Sequence, residues 1–281
     1  MLTVFHSALE IQSALANKKE IGFVPTMGNL HPGHLSLIKK SLQENNLTVI
    51  SIYVNPTQFA IGEDFNDYPR TLTEDVAKIK KILSHDDHVL VFAPTSDAEL
   101  YPHGKKVITA TGPCDILEGS LRAGHFDGVV TIVKKLFELI APHRAYFGKK
   151  DYQQYVIIRE LVKMNQWPIQ IIGMPIIREA SGIAMSSRNS FLSPHEMLSA
   201  IKLRETLLQL KSVIMSKNYS LTQINQQLAD YNKDPNFNYL ALHTQESLAP
   251  VSTLNQKMIL LGNYQLGTTK LLDNIEFEGP A

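Results

Sequence analysis

The sequence predicts an α/β protein in which an open parallel sheet is followed by a smaller α+β domain. Strand-like apolar runs alternate with helical patterns through about the first 175 residues, which favours βαβ units. After residue 190 the order changes, because two helical patterns come first and two strand-like runs follow. The length of 281 residues suits one large and one smaller domain, so we expect domains at 1–176 and 177–281.

The first domain is predicted to contain alternating strands and helices. Strands are expected at 21–25, 48–54, 88–92, 144–148 and 169–175. Helices are expected at 33–44, 73–84, 126–140 and 151–165. Right-handed crossovers between parallel strands place helices on both faces of the sheet, and they leave a ligand crevice at the carboxyl ends of the strands.

The second domain is predicted from a helix start signal. Ser193, Pro194 and Glu196 have the spacing of a capping box with proline in the first helical turn. A long helix should therefore run to about residue 216, followed by a shorter one at 220–231. Strands are expected at 239–243 and 258–261, and the two domains should hinge near 177–190.

Composition narrows the possible functions. The chain has 27 basic and 27 acidic residues, which argues against electrostatic capture by nucleic acid or by an anionic membrane. Its single cysteine, Cys114, excludes an intrachain disulfide and suits a reducing compartment. The first residues lack the features of a signal peptide, and no apolar run has the length of a membrane span. We therefore expect a cytoplasmic protein.

The most informative stretch is a pair of histidines at a predicted strand-to-helix turn. His31 and His34 flank Pro32 and Gly33, and the helical pattern starts there. A helix N-terminus offers unpaired N–H groups and partial positive charge, so it can receive phosphate, and imidazoles there can stabilise developing charge. Gly33 is expected to leave room for a ligand. The alternative is a capped helix with two incidental histidines.

Two further segments carry groups suited to phosphate. Lys149 and Lys150 precede Asp151, a plausible N-cap, and cations at a helix N-terminus suggest a bound anion. The alternative is a solvated lysine pair. Later in the chain, Met185-Ser186-Ser187-Arg188 offers two hydroxyls and a guanidinium in a segment expected to be mobile. It suits a triphosphate clamp, or a polar linker between domains.

Four amides complete the set of candidate binding groups. Amides bind hydroxyls and carboxylates without forming ion pairs. These residues are Asn55, Gln58, Gln153 and Gln154, and their alternative role is ordinary surface polarity. The sequence contains no H-E-x-x-H motif, P-loop, G-x-S-x-G motif or G-x-G-x-x-G motif. His103 and His125 are expected in loops, and packing or surface roles are favoured for both.

Six blocks of the chain form an ordered set of motifs. The longest block runs from Pro25 to His34. The others begin at Tyr53, Tyr68, Gly124, Asp151 and Met185. In content and order these blocks resemble the pantoate–β-alanine ligase (pantothenate synthetase) family. The resemblance covers residues 2–192 and continues more loosely towards the C-terminus.

This resemblance implies a fold, a reaction and an assembly. The family belongs to the HIGH-type nucleotidyltransferases, with a Rossmann-like domain, a smaller C-terminal lid domain and usually a homodimer. It uses ATP and magnesium to join (R)-pantoate to β-alanine and releases AMP and diphosphate. The magnesium is expected on the ATP phosphates, with no ligand from the protein.

The resemblance also assigns roles to residues. It makes His34, as proton donor, together with His31, Lys150 and Arg188 the catalytic set. The ATP site would comprise Met27, Gly28, Asn29, Leu30, His31, Pro32, Gly33, His34, Gly148, Lys149, Lys150, Asp151, Ile177, Met185, Ser186, Ser187 and Arg188. The pantoate and β-alanine site would comprise Gln58, Gln154, Asn55 and the apolar walls Pro25, Met27, Val129, Ile132, Val133 and Phe147. Lys149 departs from the family, which usually has an acidic residue there.

Two other functions remain open at this point. One is a different adenylating or nucleotidyl-transferring enzyme of the same fold. The other is a non-catalytic sensor that binds ATP without turnover. A role in charging tRNA is disfavoured, because the chain is short and has no net positive charge.

Overall fold

A computed structural model describes residues 1–60, 62–63, 65–102 and 104–280. Packing divides the chain into two compact units. The first comprises Met1–Lys149 and Ile157–Pro175, and the second comprises Lys150–Val156 and Ile176–Ala281. The expected domain assignment at 1–176 and 177–281 stays a prediction.

A parallel sheet organises the first unit. Its strands are β1 (Leu2–Phe5), β2 (Ile21–Thr26), β3 (Leu47–Ile52), β4 (Val89–Phe92), β5 (Arg144–Gly148) and β6 (Gln170–Met174). In the part of the chain that the structure describes, six strands pair in the order β1-β4-β3-β2-β5-β6, all of them parallel. The predicted parallel sheet is confirmed. The sequence analysis missed β1, a strand of four residues.

Helices connect these strands. They are α1 (Ala8–Leu15), α2 (Pro32–Glu44), α3 (Leu72–Lys80), α4 (Asp97–Leu100), α5 (Glu118–Leu121), α6 (His125–Ile140) and α7 (Tyr152–Met164). The chain moves one way across the sheet from β2 to β4 and the opposite way from β5 to β6. Right-handed crossovers in opposite directions put helices on both faces, and they create a switch point between β2 and β5.

Burial explains why the central strands form where they do. Every residue of β3 is buried, and the first four residues of β2 are buried as well. Continuous burial is typical of parallel strands that are covered on both faces. Their apolar side chains pack with α2, which contributes Leu37 and Ile38 to the same core cluster. This packing fixes the carboxyl ends of β2 and β3, from which the candidate site is built.

An antiparallel sheet with helices organises the second unit. Its elements are α8 (Pro194–Ser199), α9 (Ile201–Met215), α10 (Leu221–Tyr231), β7 (Phe237–Thr244), β8 (Lys257–Leu266) and β9 (Thr269–Glu278). The strands pair in the order β7-β8-β9, which confirms the predicted α+β class. Strand β9 was missed, because the adjacent buried polar residues Asp273 and Asn274 interrupt its apolar alternation.

The predicted capping box at Ser193 is present, but the single long helix after it was wrong. Ser193 Oγ accepts the Glu196 N–H, and the Glu196 carboxylate accepts the Ser193 N–H. Helix α8 ends at Ser199, and α9 begins two residues later. Ala200 keeps right-handed helical dihedrals, so the interruption is confined to one residue. Among the described residues, no helix combines the length and apolar character needed to cross a membrane.

Candidate active site

The histidine turn, residues 27–34, joins β2 to α2 at the switch point of the sheet. His31 is the N-cap of α2, and its Nδ1 accepts the Gly33 N–H at 3.1 Å. The His31 N–H in turn donates to His34 Nδ1 at 3.4 Å. The two imidazole centroids lie 4.1 Å apart, with an interplanar angle of 35°. The predicted pairing of these side chains at a helix start therefore exists as a reciprocal cap.

This cap determines which ring nitrogens can donate. Each Nδ1 accepts a backbone N–H, so a neutral imidazole in either position carries its proton on Nε2. Both rings are therefore Nε2–H donors, the form needed to stabilise negative charge on a phosphate oxygen. The expectation of unpaired N–H groups at this helix start was wrong for Gly33, because His31 satisfies its N–H.

Gly33 packs against the capping ring of His31. A Cβ at this position would lie 2.7 Å from His31 Cε1 and 2.9 Å from its Nδ1. The position of a Cβ is therefore filled by the capping imidazole, and a larger residue would have to displace the ring. The predicted contact of Gly33 with ATP stays a prediction.

The backbone before His31 is also engaged within the chain. The Gly28 N–H donates to Thr26 Oγ1 at 3.2 Å. The N–H groups of Asn29 and Leu30 donate to the buried carboxylate of Asp75, at 2.8 and 2.7 Å. These residues were predicted to line the ATP site. In this structure their N–H groups face protein acceptors, and their contact with ATP stays a prediction.

Three of the predicted substrate residues meet beside the histidine turn. Gln58 Nε2 lies 2.9 Å from Met27 Sδ, and Asn55 Nδ2 donates to Gln58 Oε1 at 3.3 Å. Asn55 is 1% exposed, and its amide also donates to Gly128 O at 3.1 Å. Its Oδ1 accepts from the Thr57 hydroxyl at 2.7 Å. Asn55 thus holds Gln58 and the 3₁₀ turn Pro56–Gln58 in place, and its direct contact with substrate stays a prediction.

The predicted apolar walls come from three elements of the same unit. Val129, Ile132 and Val133 are buried on one face of α6, at the spacing of adjacent helical turns. Pro25 lies in β2 and Met27 follows that strand, whereas Phe147 is buried near the end of β5. Helix α6 packs against the 3₁₀ turn that carries Gln58. These positions suit an apolar pocket beside the Gln58 amide.

Sequence reasoning missed the network that holds Gln58. His125 begins α6 and is buried, so the expected loop position was wrong. Its Nδ1 lies 2.7 Å from Gln58 O, and its Nε2 lies 3.1 Å from Arg122 Nη1. Arg122 also forms two hydrogen bonds of 2.6 Å with the Glu63 carboxylate. The Gly-His-Phe block was the signal that could have revealed this support. His103 lies outside the described residues.

Charges in this network reinforce one another. Burial alone would raise the pKa of the Glu63 carboxyl, but the hydrogen bonds and positive charge of Arg122 lower it below its usual value. Glu63 therefore stays ionised and fixes the guanidinium. The guanidinium in turn donates to Gln58 O at 3.3 Å.

The lysine segment departs from its predicted form. Lys149–Asp151 is a 3₁₀ turn that runs directly into α7, so Asp151 is in helical structure and is not an extended N-cap. Within the second unit, Lys150 Nζ lies 3.3 Å from the Asp151 carboxylate. This anion supplies part of the counter-charge that we expected from phosphate. The neighbouring amides differ, since Gln153 is buried and Gln154 is half-buried.

The serine–arginine segment, residues 185–191, is more ordered than a simple linker. Ser186 caps the 3₁₀ helix Ser187–Phe191, and its Oγ accepts the Arg188 N–H at 3.3 Å. Buried Asn189 donates to Glu179 Oε1 at 2.6 Å and to Ala184 O at 3.1 Å. The Met185 N–H donates to Ile177 O at 2.9 Å. The segment therefore presents its hydroxyls and guanidinium from a locally fixed turn.

An open parallel sheet with two imidazole donors at its switch point defines a nucleotide-binding α/β protein. The family model described as pantoate-beta-alanine ligase matches residues 3–276. The chain therefore belongs to the pantoate–β-alanine ligase family, and the resemblance found in its motifs is confirmed.

Individual relatives match this chain along nearly their whole length. A pantothenate synthetase of Aquifex aeolicus is 40% identical over 283 residues, and the match covers 98% of each chain. The crystal structure of the Thermus thermophilus enzyme has a TM-score of 0.89 and 37% identity, and the match covers 98% of this chain and 99% of that one. A Francisella tularensis ligase, described as complexed with beta-gamma ATP and beta-alanine, has a TM-score of 0.76 and 32% identity, with 98% coverage of both chains.

Proposed function

We propose that this protein condenses (R)-pantoate with β-alanine to give pantothenate, with ATP converted to AMP and diphosphate. Family membership and the paired Nε2–H donors of the histidine turn support this function. The imidazole pair is the observation that carries the chemistry, because it offers two oriented donors where a phosphate can bind.

The reaction needs an activated acid. A carboxylate resists attack by an amine because it is anionic and has no good leaving group. In the first step a pantoate carboxylate oxygen attacks the ATP α-phosphorus, and the bond to diphosphate breaks. In the second step the β-alanine amine attacks the acyl carbon of pantoyl adenylate, AMP departs, and the amine loses a proton. No covalent intermediate with the enzyme is required, so positioning and charge stabilisation supply the catalysis.

Negative charge grows on the phosphates during the first step, and we assign cationic and donor side chains to it. His34 is the proposed proton donor, and His31, Lys150 and Arg188 stabilise the phosphates. Ser186 and Ser187 donate hydroxyl hydrogen bonds to the triphosphate. The remaining nucleotide contacts are assigned to Met27, Gly28, Asn29, Leu30, Pro32, Gly33, Gly148, Lys149, Asp151, Ile177 and Met185.

Pantoate recognition is assigned to amides and an apolar wall. Gln58 and Gln154 bind the hydroxyl and carboxylate groups, and Asn55 orients Gln58. The walls around the gem-dimethyl group are Pro25, Met27, Val129, Ile132, Val133 and Phe147. Burial of apolar surface by those methyl groups favours pantoate over less substituted acids.

Magnesium, a homodimer and a cytoplasmic location complete the proposal. Magnesium enters as the ion carried by ATP, where it neutralises phosphate charge. Within residues 1–60, 62–63, 65–102 and 104–280, no group of three or more His, Cys, Asp and Glu side chains is placed to hold a metal. The assignment of the ion to the phosphate oxygens of ATP follows from the family resemblance and stays part of the proposal.

The test is a product assay with purified protein, ATP, magnesium and pantoate, with and without β-alanine. We expect an amide of the mass of pantothenate, together with AMP and diphosphate, only when β-alanine is present. A stable nucleotidylated product would indicate a different transferase of this fold. ATP binding without any turnover would indicate a sensor, and either result would contradict the proposed function.

A further inference from the structure

The histidine turn is held by two side chains of α3 that no sequence motif pointed to. Asp75 is 0% exposed, and its two carboxylate oxygens accept the N–H groups of Asn29 and Leu30. One helical turn later, Lys78 Nζ donates to Leu30 O at 2.7 Å and lies 3.6 Å from Asp75 Oδ1. Helix α3 therefore binds both the N–H and the carbonyl oxygen of Leu30, the residue that precedes His31.

This part of the turn has a backbone that needs external support. Gly28 has a φ of +86°, and Asn29 has a φ of +49°. A non-glycine residue with positive φ is uncommon, and it persists when its surroundings fix it. The Thr71 hydroxyl donates to Asp75 Oδ2 at 3.1 Å, so the carboxylate itself is fixed.

The carboxylate also controls where an anion can bind. Two consecutive N–H groups directed to one point form a site for an oxyanion. Asp75 occupies that point with its own oxygens, so a phosphate cannot bind to these N–H groups. A phosphate therefore needs other donors of the turn, and the proposed function assigns that role to the imidazoles of His31 and His34.

We propose that Asp75 and Lys78 are positioning residues that hold the imidazoles of His31 and His34 where they donate to the phosphates of ATP. They act through the backbone of the turn and do not contact substrate. This inference rests on the proposed function, and it adds to it a pair of residues outside the histidine turn. Asp75 should contribute more to positioning than Lys78, because its carboxylate binds two N–H groups whereas the lysine binds one carbonyl oxygen.

The first test is Asp75→Asn, measured as the rate of adenylate formation in a single turnover. An amide keeps the size of the carboxyl but turns an N–H₂ towards a backbone N–H. Displacement of catalytic groups by about 1 Å can cost about 100-fold, so we expect a loss of that order. The control is Glu74→Gln, which alters an exposed carboxylate on the same helix and should leave the rate unchanged.

A double-mutant cycle separates positioning from general damage. If Asp75 acts through the imidazoles, Asp75→Asn should have less than about a threefold effect in a His34→Ala background, because coupled residues are not additive. An equal effect in both backgrounds would overturn the inference. So would an unchanged rate for Asp75→Asn in the otherwise unaltered protein.

Lys78 gives a second route if Asp75→Asn does not fold. Lys78 is partly exposed, so Lys78→Gln should fold and slow adenylation about tenfold by loss of a charged hydrogen bond. Lys78→Arg should restore most of the rate, and failure of both expectations would contradict the proposal.

Imidazole ¹⁵N spectra provide a readout that does not require turnover. Asp75→Asn should shift the His31 and His34 ring resonances, whereas Glu74→Gln should not, and unshifted rings would overturn the inference even in an inactive protein. If the unaltered protein forms no amide product, the proposed function is contradicted, whereas the effect of Asp75 on the imidazoles is still decided by these spectra.

Discussion

The histidine turn and the serine–arginine segment carry comparable groups but are stabilised in different ways. Asn29 in the histidine turn is bound by Asp75, which lies 46 residues away in the sequence. In the serine–arginine segment, Asn189 binds Glu179 only 10 residues away, and Ser186 caps a helix that starts at the next residue. The first depends on tertiary structure, and the second is built mainly from its own chain neighbourhood. Substitutions should therefore act over long range in the first and locally in the second.

The largest effect should come from His34→Ala. Loss of one donor to developing phosphate charge should slow adenylation by about 100- to 1000-fold with little change in the melting temperature. Rapid-quench measurement of pantoyl adenylate would show this. The matched control is His85→Ala, since the His85 side chain is fully exposed. A near-normal rate for His34→Ala would remove His34 from its proposed role and would weaken the contrast between the two segments.

Gly33→Ala tests how closely the histidine turn is packed, because the added Cβ would fill only the space next to the His31 ring. The added methyl would displace the ring, and overpacking of this kind costs about 1–3 kcal/mol, equivalent to about 5- to 150-fold if it falls on the adenylation rate. Steady-state kinetics with varied ATP would measure it. In a His31→Ala background the same change should be nearly silent. A full effect there would show that the ring is not what the glycine accommodates.

Gln58→Ala probes a side chain outside both segments. Removal of its amide should weaken pantoate binding about tenfold, which corresponds to one hydrogen bond, with little change for ATP. Separate calorimetric titrations of the two ligands would measure this, with exposed Gln43→Ala as the control. Equal weakening of both ligands would contradict the assignment of Gln58 to pantoate.

The smallest effect should come from Ser186→Ala. The substitution removes the cap and the hydroxyl assigned to the triphosphate, each worth about 0.5 kcal/mol, so the apparent affinity for ATP should fall about fivefold. Ser186→Asn retains a capping oxygen and should restore much of the affinity. If Ser186→Ala slowed adenylation as much as His34→Ala, the contrast between a locally stabilised segment and a turn held by tertiary contacts would be contradicted.

The sequence predicted those features that depend on local pattern. Strand β5 was predicted with the observed bounds, and α2 to within one residue at its start, because apolar periodicity and Pro32 mark them. The capping box of Ser193 was equally legible. The parallel pairing of the strands followed from general rules of βαβ connection, whereas the order of the strands in the sheet was not predicted.

The parts of the site that were missed depend on tertiary structure. Nothing near Asp75 in the sequence indicates that its carboxylate binds a turn on another connection, and the same holds for Arg122 beneath Gln58. The packing of the His31 ring against Gly33 was not predicted, because the position of that ring depends on the folded turn and not on the tetrapeptide alone. Buried Asn55 likewise supports its neighbour through contacts with α6.

Helix α3 would have to accompany the histidine turn if the turn were transferred to another protein. A chimera that received only the β2–α2 connection would inherit both histidines without the carboxylate that fixes the preceding backbone. A transplant that also brought residues 71–78 would carry the hydroxyl, the carboxylate and the ammonium group together. The functional unit therefore consists of two segments that are separate in the sequence, and the histidine motif alone does not specify its structure.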